Sequence, residues 1–377
     1  MNWEAHAARL AGEVTHPASR WREPLATVPR HAFVPRWWAN EGTAWVLRDG
    51  TADPGAWMED VYSNRTLTTR IGPLHADDAD PGAIVTRGLP TSSSTLPGLV
   101  LSMYRHAMIT DNSDILVTTG SGYGTALACR RLGDKRVTSV DVDAGLVEKA
   151  RARLDAAGVH PHTAVCDITG PLPGTYDRIV STVSVRTVPA PWLAGLRTGG
   201  RLMTALAGTG LIVTADKTDD GGAVGRTELD AAGFMRTRHG DDYPPGLDEV
   251  HEHAQTPEGE EVSTGRYPVL YVPDAWDVWS MLELTVPGIE HRRMDDGDTR
   301  TVWLLHPDGS WARAVGRWTD PPTVHQSGPR RLWTELERIR HRLNKEGGLP
   351  VYGAAVRIDP DGTMHFRRGS WTATIPA

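Results

Sequence analysis

Through the middle of the chain, short apolar runs alternate with apolar residues at helical spacing. Residues 114–119 (DILVTT) are mostly β-branched and apolar and predict a buried strand. A glycine-rich turn follows, then a helix over 125–132. Residues 137–142 (VTSVDV) predict a second strand, and Leu146, Ala150 and Leu154 recur at helical spacing up to Gly158. Residues 162–167 predict a third strand, 176–182 (YDRIVST) a fourth, and 200–206 (GRLMTAL) a fifth after a Pro-flanked helix around 192–196. Strands and helices alternating in this way predict an α/β fold with a parallel, doubly wound sheet.

The flanks read differently. Residues 2–15 predict an amphipathic helix ending before Pro17, and the two prolines within 27–38 argue against a single helix there. Residues 50–90, rich in Gly, Pro, Asp and Thr, predict loops and short strands. The hydroxyl run Ser92-Ser93-Ser94-Thr95 precedes Leu96-Pro97 and a helix over 99–108, and one of these hydroxyls is expected to cap that helix. Residues 240–265 hold eight acids and few large apolar residues, which predicts an exposed linker. Beyond it, 269–272 (VLYV) and 302–305 predict strands, and HPDG (306–309) and DPDG (359–362) predict hairpin turns. Leu332, Leu336, Ile339 and Leu343 form one helix face between Pro329 and Gly347. The expected organisation is a helical and loop segment over 1–75, a central domain over 76–239, an acidic linker over 240–266 and a small α+β domain over 267–377, a candidate for peptide binding.

Composition narrows the function classes. The longest apolar runs fall far short of the ~20 residues of a membrane span, and the start, MNWEAHAARL, is too polar for a signal peptide. A cytoplasmic protein without a membrane partner is expected, monomeric rather than oligomeric. The 40 basic residues against 47 acids, a net charge of −7, argue against a nucleic-acid partner. Cys129 and Cys166 form no disulfide framework and no zinc pattern. Fourteen Trp stand against three Phe, and half of the Trp lie after residue 275, which marks the tail as a different unit.

The candidate chemistry sits at the first strand-to-helix turn, Thr119-Gly120-Ser121-Gly122. Such turns bind anions or nucleotides because the backbone approaches closely and the helix N-terminus is electropositive. Asp141 ends the second strand, where an acid bonds ribose hydroxyls, and Asp167 ends the third, where a carboxylate accepts from an adenine amino group. Each could instead cap a helix. No lysine follows the turn, which excludes a P-loop and leaves a cofactor with an adenosine but no polyphosphate. S-adenosylmethionine is the first candidate.

These motifs resemble the protein-L-isoaspartate O-methyltransferases. The resemblance runs over roughly residues 25–210, through VPRHAFVP (28–35), SSTLP (93–97), TTGSGYGTALACRRLG (118–133), VTSVDVD (137–143), Asp167 and YDRIVSTVSVRTVPAPWLAGLRTGGRL (176–202). It implies a Rossmann-like S-adenosylmethionine-dependent methyltransferase sheet that methylates an aspartate-derived carboxylate in a peptide. It implies cofactor contacts at Thr118, Thr119, Gly120, Ser121, Gly122, Tyr123, Asp141, Val142, Asp167, Ile168 and Thr182. It implies substrate contacts at Val183, Ser184, Val185 and Arg186, and a catalytic hydroxyl group of Ser93, Ser94 and Thr95. Thr95 stands at the family's active-site serine. Leu116 and Thr118 depart from the family's acid and glycine, and a methyl at 118 takes backbone room beside the cofactor. The tail is similar to the extension of those members that tailor ribosomally made peptides (lanthipeptides, lasso peptides, graspetides). These methylate an L-aspartate whose ester closes to an aspartimide. General repair of isoaspartyl proteins is a second reading, and a non-catalytic peptide-binding protein on the same fold is a third.

Methylating a carboxylate needs no strong base, since the group is ionised at neutral pH. Positioning and water exclusion carry most of the catalysis, and Ser93, Ser94 and Thr95 could aim one carboxylate oxygen. His251-Glu252-His253 reads as a solvated loop rather than a metal pair. Asp295-Asp296-Gly297-Asp298 lacks the terminal Glu of a calcium loop, and no metal is expected. Cys166 reads as a small buried residue and His31 as a packing residue. Trp276, Trp279, Trp311 and Trp318 are candidates for a surface role.

Overall fold

In a computed structural model the described residues are 2–238 and 246–377. A ten-stranded sheet runs through the molecule. Its parallel half holds, in spatial order, Leu196–Leu206, Tyr176–Val185, Ile115–Thr118, Val137–Asp141 and His162–Val165. The central strand Ile115–Thr118 reads as a continuous apolar run because both its faces are covered, whereas the edge strand His162–Val165 is only half-buried. Ile115 and Val117 face a cluster that includes helices Pro97–His106 and Tyr123–Leu132. Leu116 faces the opposite cluster with Ile179, Leu202 and Trp192, and is fully buried. The third strand ends at Val165, two residues before Asp167.

The sheet continues antiparallel through Leu211–Lys217 and Ala223–Ala231. Three strands from the tail then complete it: Ala355–Ile358, Met364–Arg368 and Trp371–Ile375. The tail therefore contributes to two sheets. Its own sheet has five antiparallel strands, in the order Glu261–Thr264, Thr323–Ser327, Trp311–Arg317, Thr299–Leu305, Glu290–Asp296. Helices Trp276–Thr285 and Leu332–Glu346 join the two sheets, so that Leu202, Val213, Leu282, Val302 and Leu336 share one core. Both DPDG-like segments are hairpin turns, with Gly309 and Gly362 at positive φ.

Four local expectations change. Within 50–90, Pro54–Val61 is a helix: Asp53 accepts the Ala56 amide at 3.0 Å, Pro54 opens the first turn, and Trp57, Met58 and Val61 are buried. The hydroxyl run is the end of a strand, Pro90–Ser94, paired with Leu67–Ile71 in a six-stranded N-terminal sheet. The expected linker holds a short helix, Asp248–His253, and the edge strand Glu261–Thr264, whose four exposed residues suit an edge. Residues 240–245 of that linker lie outside the described residues. Val269–Tyr271 forms no ladder: prolines at 268 and 273 bracket it, and a 3₁₀ turn follows over Val272–Asp274. Among the described residues no helix is long and apolar enough to cross a membrane.

Candidate cofactor and acceptor pocket

The first strand leaves the sheet at Thr118, and the chain reverses within four residues. The Thr119 amide donates to the Val140 carbonyl at 3.0 Å and the Gly122 amide to the Thr119 carbonyl at 2.9 Å. Gly120 and Gly122 have φ of +52° and +87°. A Cβ at Gly120 would lie 3.2 Å from the Ser93 carbonyl oxygen, so both conformation and space require glycine. Behind the turn the Thr119 and Thr125 hydroxyls each lie 2.8 Å from the Ser139 hydroxyl.

A cavity of about 210 Å³ opens over the carboxyl ends of the first, second and fourth parallel strands. Its lining takes in Ser93, Thr95, Thr118, Gly120, Asp141, Val142, Asp167, Ile168, Thr182 and Val183. Asp141 accepts the Gly120 amide at 3.3 Å on one oxygen and the Asp143 amide at 3.2 Å on the other. Burial pushes its carboxyl above the ordinary range, against those two amides. The helix-capping role belongs to Asp143 instead: it accepts the Leu146 amide at 3.1 Å and is clasped by Arg70 and by Arg238, the latter at 3.3 Å. Burial would raise the Asp143 carboxyl, but the Leu146 amide and Arg70 hold it below the usual value. Asp167 folds back on Thr169, accepting its amide at 2.9 Å and its hydroxyl at 2.7 Å.

The two departures from the family pattern have different outcomes. Leu116 is a core residue and does not line the cavity. Thr118 lines it, but its hydroxyl accepts the Thr182 amide at 2.8 Å and lies 2.6 Å from the Thr182 hydroxyl. The added side chain is thereby turned onto the neighbouring strand, and the cavity persists beside it.

None of the three catalytic candidates caps helix Pro97–His106. Leu96 is the N-cap residue and gives no side-chain bond. The Thr66 hydroxyl accepts the Leu96 amide at 3.1 Å, and Asn64 accepts the Gly98 amide at 2.8 Å. Ser93 and Thr95 line the cavity. Ser94 faces a recess of about 30 Å³ behind it, with Thr119, Ser121 and Tyr123. Among the described residues the Ser94 and Tyr123 hydroxyls there are buried without a hydrogen-bond partner.

The backbone of the hydroxyl run hangs on Arg30, which the VPRHAFVP segment supplies. Arg30 is fully buried and donates to the carbonyls of Val61 at 2.8 Å, Ser63 and Arg65 at 2.9 Å, Ser94 at 3.2 Å and Thr95 at 3.3 Å. Burial pushes the guanidinium down to about 10. Its neighbour His31 packs, with Nδ1 2.7 Å from the Tyr62 hydroxyl.

Three substrate candidates miss the cavity, because beyond Val183 each side chain is committed elsewhere. The Ser184 hydroxyl donates to the Phe234 carbonyl at 3.0 Å, Val185 is core, and Arg186 reaches the Pro376 carbonyl at 2.8 Å. Ser184 thereby fixes the wall that sequence reasoning missed, Gly233 to Arg238. That run, GFMRTR, has no periodicity; its mixture of apolar and basic residues after a glycine was the available cue. Cys166 also lines the cavity, and burial pushes its thiol up, so it is not an activated nucleophile. Trp311 is core, while Trp318 is 80% and Trp276 39% exposed. His251 stacks edge-on to Trp303 and its Nδ1 lies 3.1 Å from Arg292. Among the described residues no cluster could hold a metal.

Residues 87–234 match the family model described as protein-L-isoaspartate(D-aspartate) O-methyltransferase, and the flanking segments lie outside that match. The chain is 40% identical over 91 residues to a protein-L-isoaspartate O-methyltransferase of Anaeromyxobacter dehalogenans (strain 2CP-C), covering 23% of this chain and 43% of that one. It is 34% identical over 112 residues to one of Thermococcus onnurineus (strain NA1), covering 28% and 50%. The chain thus spans about half the length of the curated relatives it matches. A solved structure titled protein-L-isoaspartate O-methyltransferase superposes with a TM-score of 0.52 at 17% identity, over 97% of this chain and 99% of that one. The fold is that of an S-adenosylmethionine-dependent methyltransferase with an added sheet-rich tail.

Proposed function

We propose that this chain is an S-adenosylmethionine-dependent carboxyl O-methyltransferase of the protein-L-isoaspartate type, acting on an aspartate-derived carboxylate in a polypeptide. The observation that carries this reading is the meeting of Gly120, Asp141 and Asp167 with Ser93 and Thr95 around one cavity, within the segment that matches the family model. The residues fit the cofactor: the Gly120 turn leaves backbone room, and the Asp141 carboxylate keeps lone pairs beyond its two amide bonds for ribose hydroxyls. Asp167 and Ile168 would border the adenine, and Thr118 and Thr182 the methionine end. Bound there, S-adenosylmethionine supplies a sulfonium methyl group that is open to in-line attack.

The chain's own part is positioning. Ser93 and Thr95 would donate to one oxygen of the acceptor carboxylate and leave a lone pair of the other aimed at the methyl. Arg30, through the Ser94 and Thr95 carbonyls, holds those hydroxyls in register. Leu96 and Leu99 line the same cavity and exclude water. That attack would exchange a sulfur–carbon bond for an oxygen–carbon bond, and the residues around the acceptor would have no proton to move.

For the acceptor we propose an L-aspartate in a ribosomally made, modified peptide. Its methyl ester would close to an aspartimide when the next amide nitrogen expels methanol. Hydrolysis of the imide would then give isoaspartate. The ordered motifs and the tail outside the family match are the support for this narrower reading. Repair of isoaspartyl proteins is the competing one, favoured by the names of both curated relatives. The tail alone does not separate them, because the solved structure of that name is matched over nearly its whole length. Mass spectrometry tests both. Incubation with S-adenosylmethionine and a modified precursor peptide should give a product one methyl heavier, then one that has lost methanol. Methylation of a short isoaspartyl peptide alone would favour repair. Calorimetry without heat on adding S-adenosylhomocysteine would instead favour a non-catalytic peptide-binding protein.

A further inference from the structure

The outer wall of the cavity carries a cation that the scheme above leaves unused. Arg236 is exposed and lines the cavity. Its backbone is bridged to Ser184, just beyond Thr182 and Val183. It therefore stands over the end of the fourth strand, in the same lining as Ser93 and Thr95. Among the described residues Arg236 forms no side-chain hydrogen bond or ion pair.

The opposite charge set against it comes from the tail. Glu283, on helix Trp276–Thr285, exerts a longer-range attraction on Arg236 across Gly208. A Cβ added at Gly208 would lie 2.8 Å from the Glu283 carboxyl and 3.0 Å from a terminal nitrogen of Arg236. One Glu283 oxygen accepts the Gly288 amide at 2.9 Å, while the other is buried without a hydrogen-bond partner among the described residues. Burial pushes this carboxyl up to about 7, against the Gly288 amide and Arg236. Trp276 of the same helix packs over Gly233 at the start of the wall. The wall thus presents, beside an aromatic edge from the tail, a guanidinium with no hydrogen-bond partner among the described residues.

We propose that Arg236 recognises a second carboxylate of the substrate, so that the favoured class is an acidic peptide with another acid close to the methylated one. The inference rests on the cavity holding donor and acceptor as proposed above. The acceptor carboxylate loses its charge as it is methylated, and a cation bound to it would stabilise the ground state more than the transition state. A neighbouring carboxylate keeps its charge throughout. Binding it is uniform through the reaction, which lowers KM and leaves kcat nearly unchanged. A guanidinium suits that role because it binds a carboxylate through two parallel bonds.

The test uses the full chain and two synthetic hexapeptides with one L-aspartyl residue, followed two positions later by Glu in one and Gln in the other. A matching pair carries isoaspartyl in place of L-aspartyl. Calorimetry first measures S-adenosylhomocysteine binding to the wild type and to Arg236→Gln, and equal affinity is expected. Fluorescence anisotropy in saturating S-adenosylhomocysteine then measures the peptides. The wild type should bind the Glu peptide of at least one pair about tenfold more tightly than its Gln partner. Arg236→Gln should lose that preference, and Arg236→Lys should keep part of it. Wild-type protein that binds the cofactor product but treats Glu and Gln peptides alike, or binds neither, overturns the role of Arg236 alone. Wild-type protein that fails to bind S-adenosylhomocysteine overturns the reading of the cavity, and this inference with it.

Discussion

Replacing Arg30 with methionine removes a side chain that ties the N-terminal signature to the hydroxyl run. The substitution keeps an unbranched stem and deletes five bonds to carbonyls on separate stretches of chain. At about 1.5 kcal/mol each, the low end for a charged donor, these contribute ~7 kcal/mol. Burial opposes them, and the fall of the guanidinium from 12.5 to about 10 corresponds to ~3 kcal/mol of desolvation. About 4 kcal/mol of net stabilisation remains, a large share of the ~5–15 kcal/mol of a typical domain. Urea unfolding followed by circular dichroism should show Arg30→Met destabilised by about that amount. Arg30→Lys, with three donors on a point charge, should lose about half as much. It should also fold, yet bring the Ser93 and Thr95 hydroxyls out of register and slow methyl transfer more than it weakens S-adenosylhomocysteine binding. A loss below ~1 kcal/mol for Arg30→Met, or unchanged transfer in Arg30→Lys, would refute this account.

Further substitutions probe the pocket and the core. Thr118→Gly removes a hydroxyl already committed to Thr182, so S-adenosylhomocysteine affinity should change less than about threefold while stability falls by ~1 kcal/mol; a large gain in affinity on calorimetry would mean that the side chain obstructs the cofactor after all. Asp141→Asn should weaken the same affinity by about tenfold or more, and an unchanged value would remove Asp141 from the ribose site. His291 is pushed down to about 4 by burial, with neither ring nitrogen hydrogen-bonded among the described residues. The unfolded state therefore binds more protons between about pH 4 and 6.5. Stability from this group is fully present above pH 6.5 and is lost as pH falls towards 4, by up to ~3 kcal/mol. His291→Leu should flatten that slope in urea titrations across the window, and an unaltered slope would reject the assignment.

The central parallel strand was legible because burial on both faces leaves a local trace, the unbroken apolar run ILVT at 115–118, and the others because they alternate with helical spacings around it. The glycine turn and Asp141 were legible for a related reason, since one short segment fixes their geometry. What escaped depends on partners far away in sequence. The cap of helix Pro97–His106 comes from Asn64 and Thr66, while the hydroxyls next to it serve the cavity. The role of Arg30 appears only once five distant carbonyls converge on it. The wall at 233–238 lies beyond the fourth strand because Ser184 pulls it there. Capping is also easily misassigned by two residues, and the cap is Asp143 where Asp141 had been a candidate.

The strand Ala223–Ala231 runs directly into that wall, and its outer neighbour is Ala355–Ile358. During synthesis the segment bearing Arg236 leaves the ribosome long before the strand that will flank its anchor. Until then the sheet ends in an open rim and the pocket lacks a firm side. The chain would thus acquire its proposed grip on a peptide only after those hairpins have been made, and a nascent chain lacking them would hold the glycine turn without a settled place for the peptide.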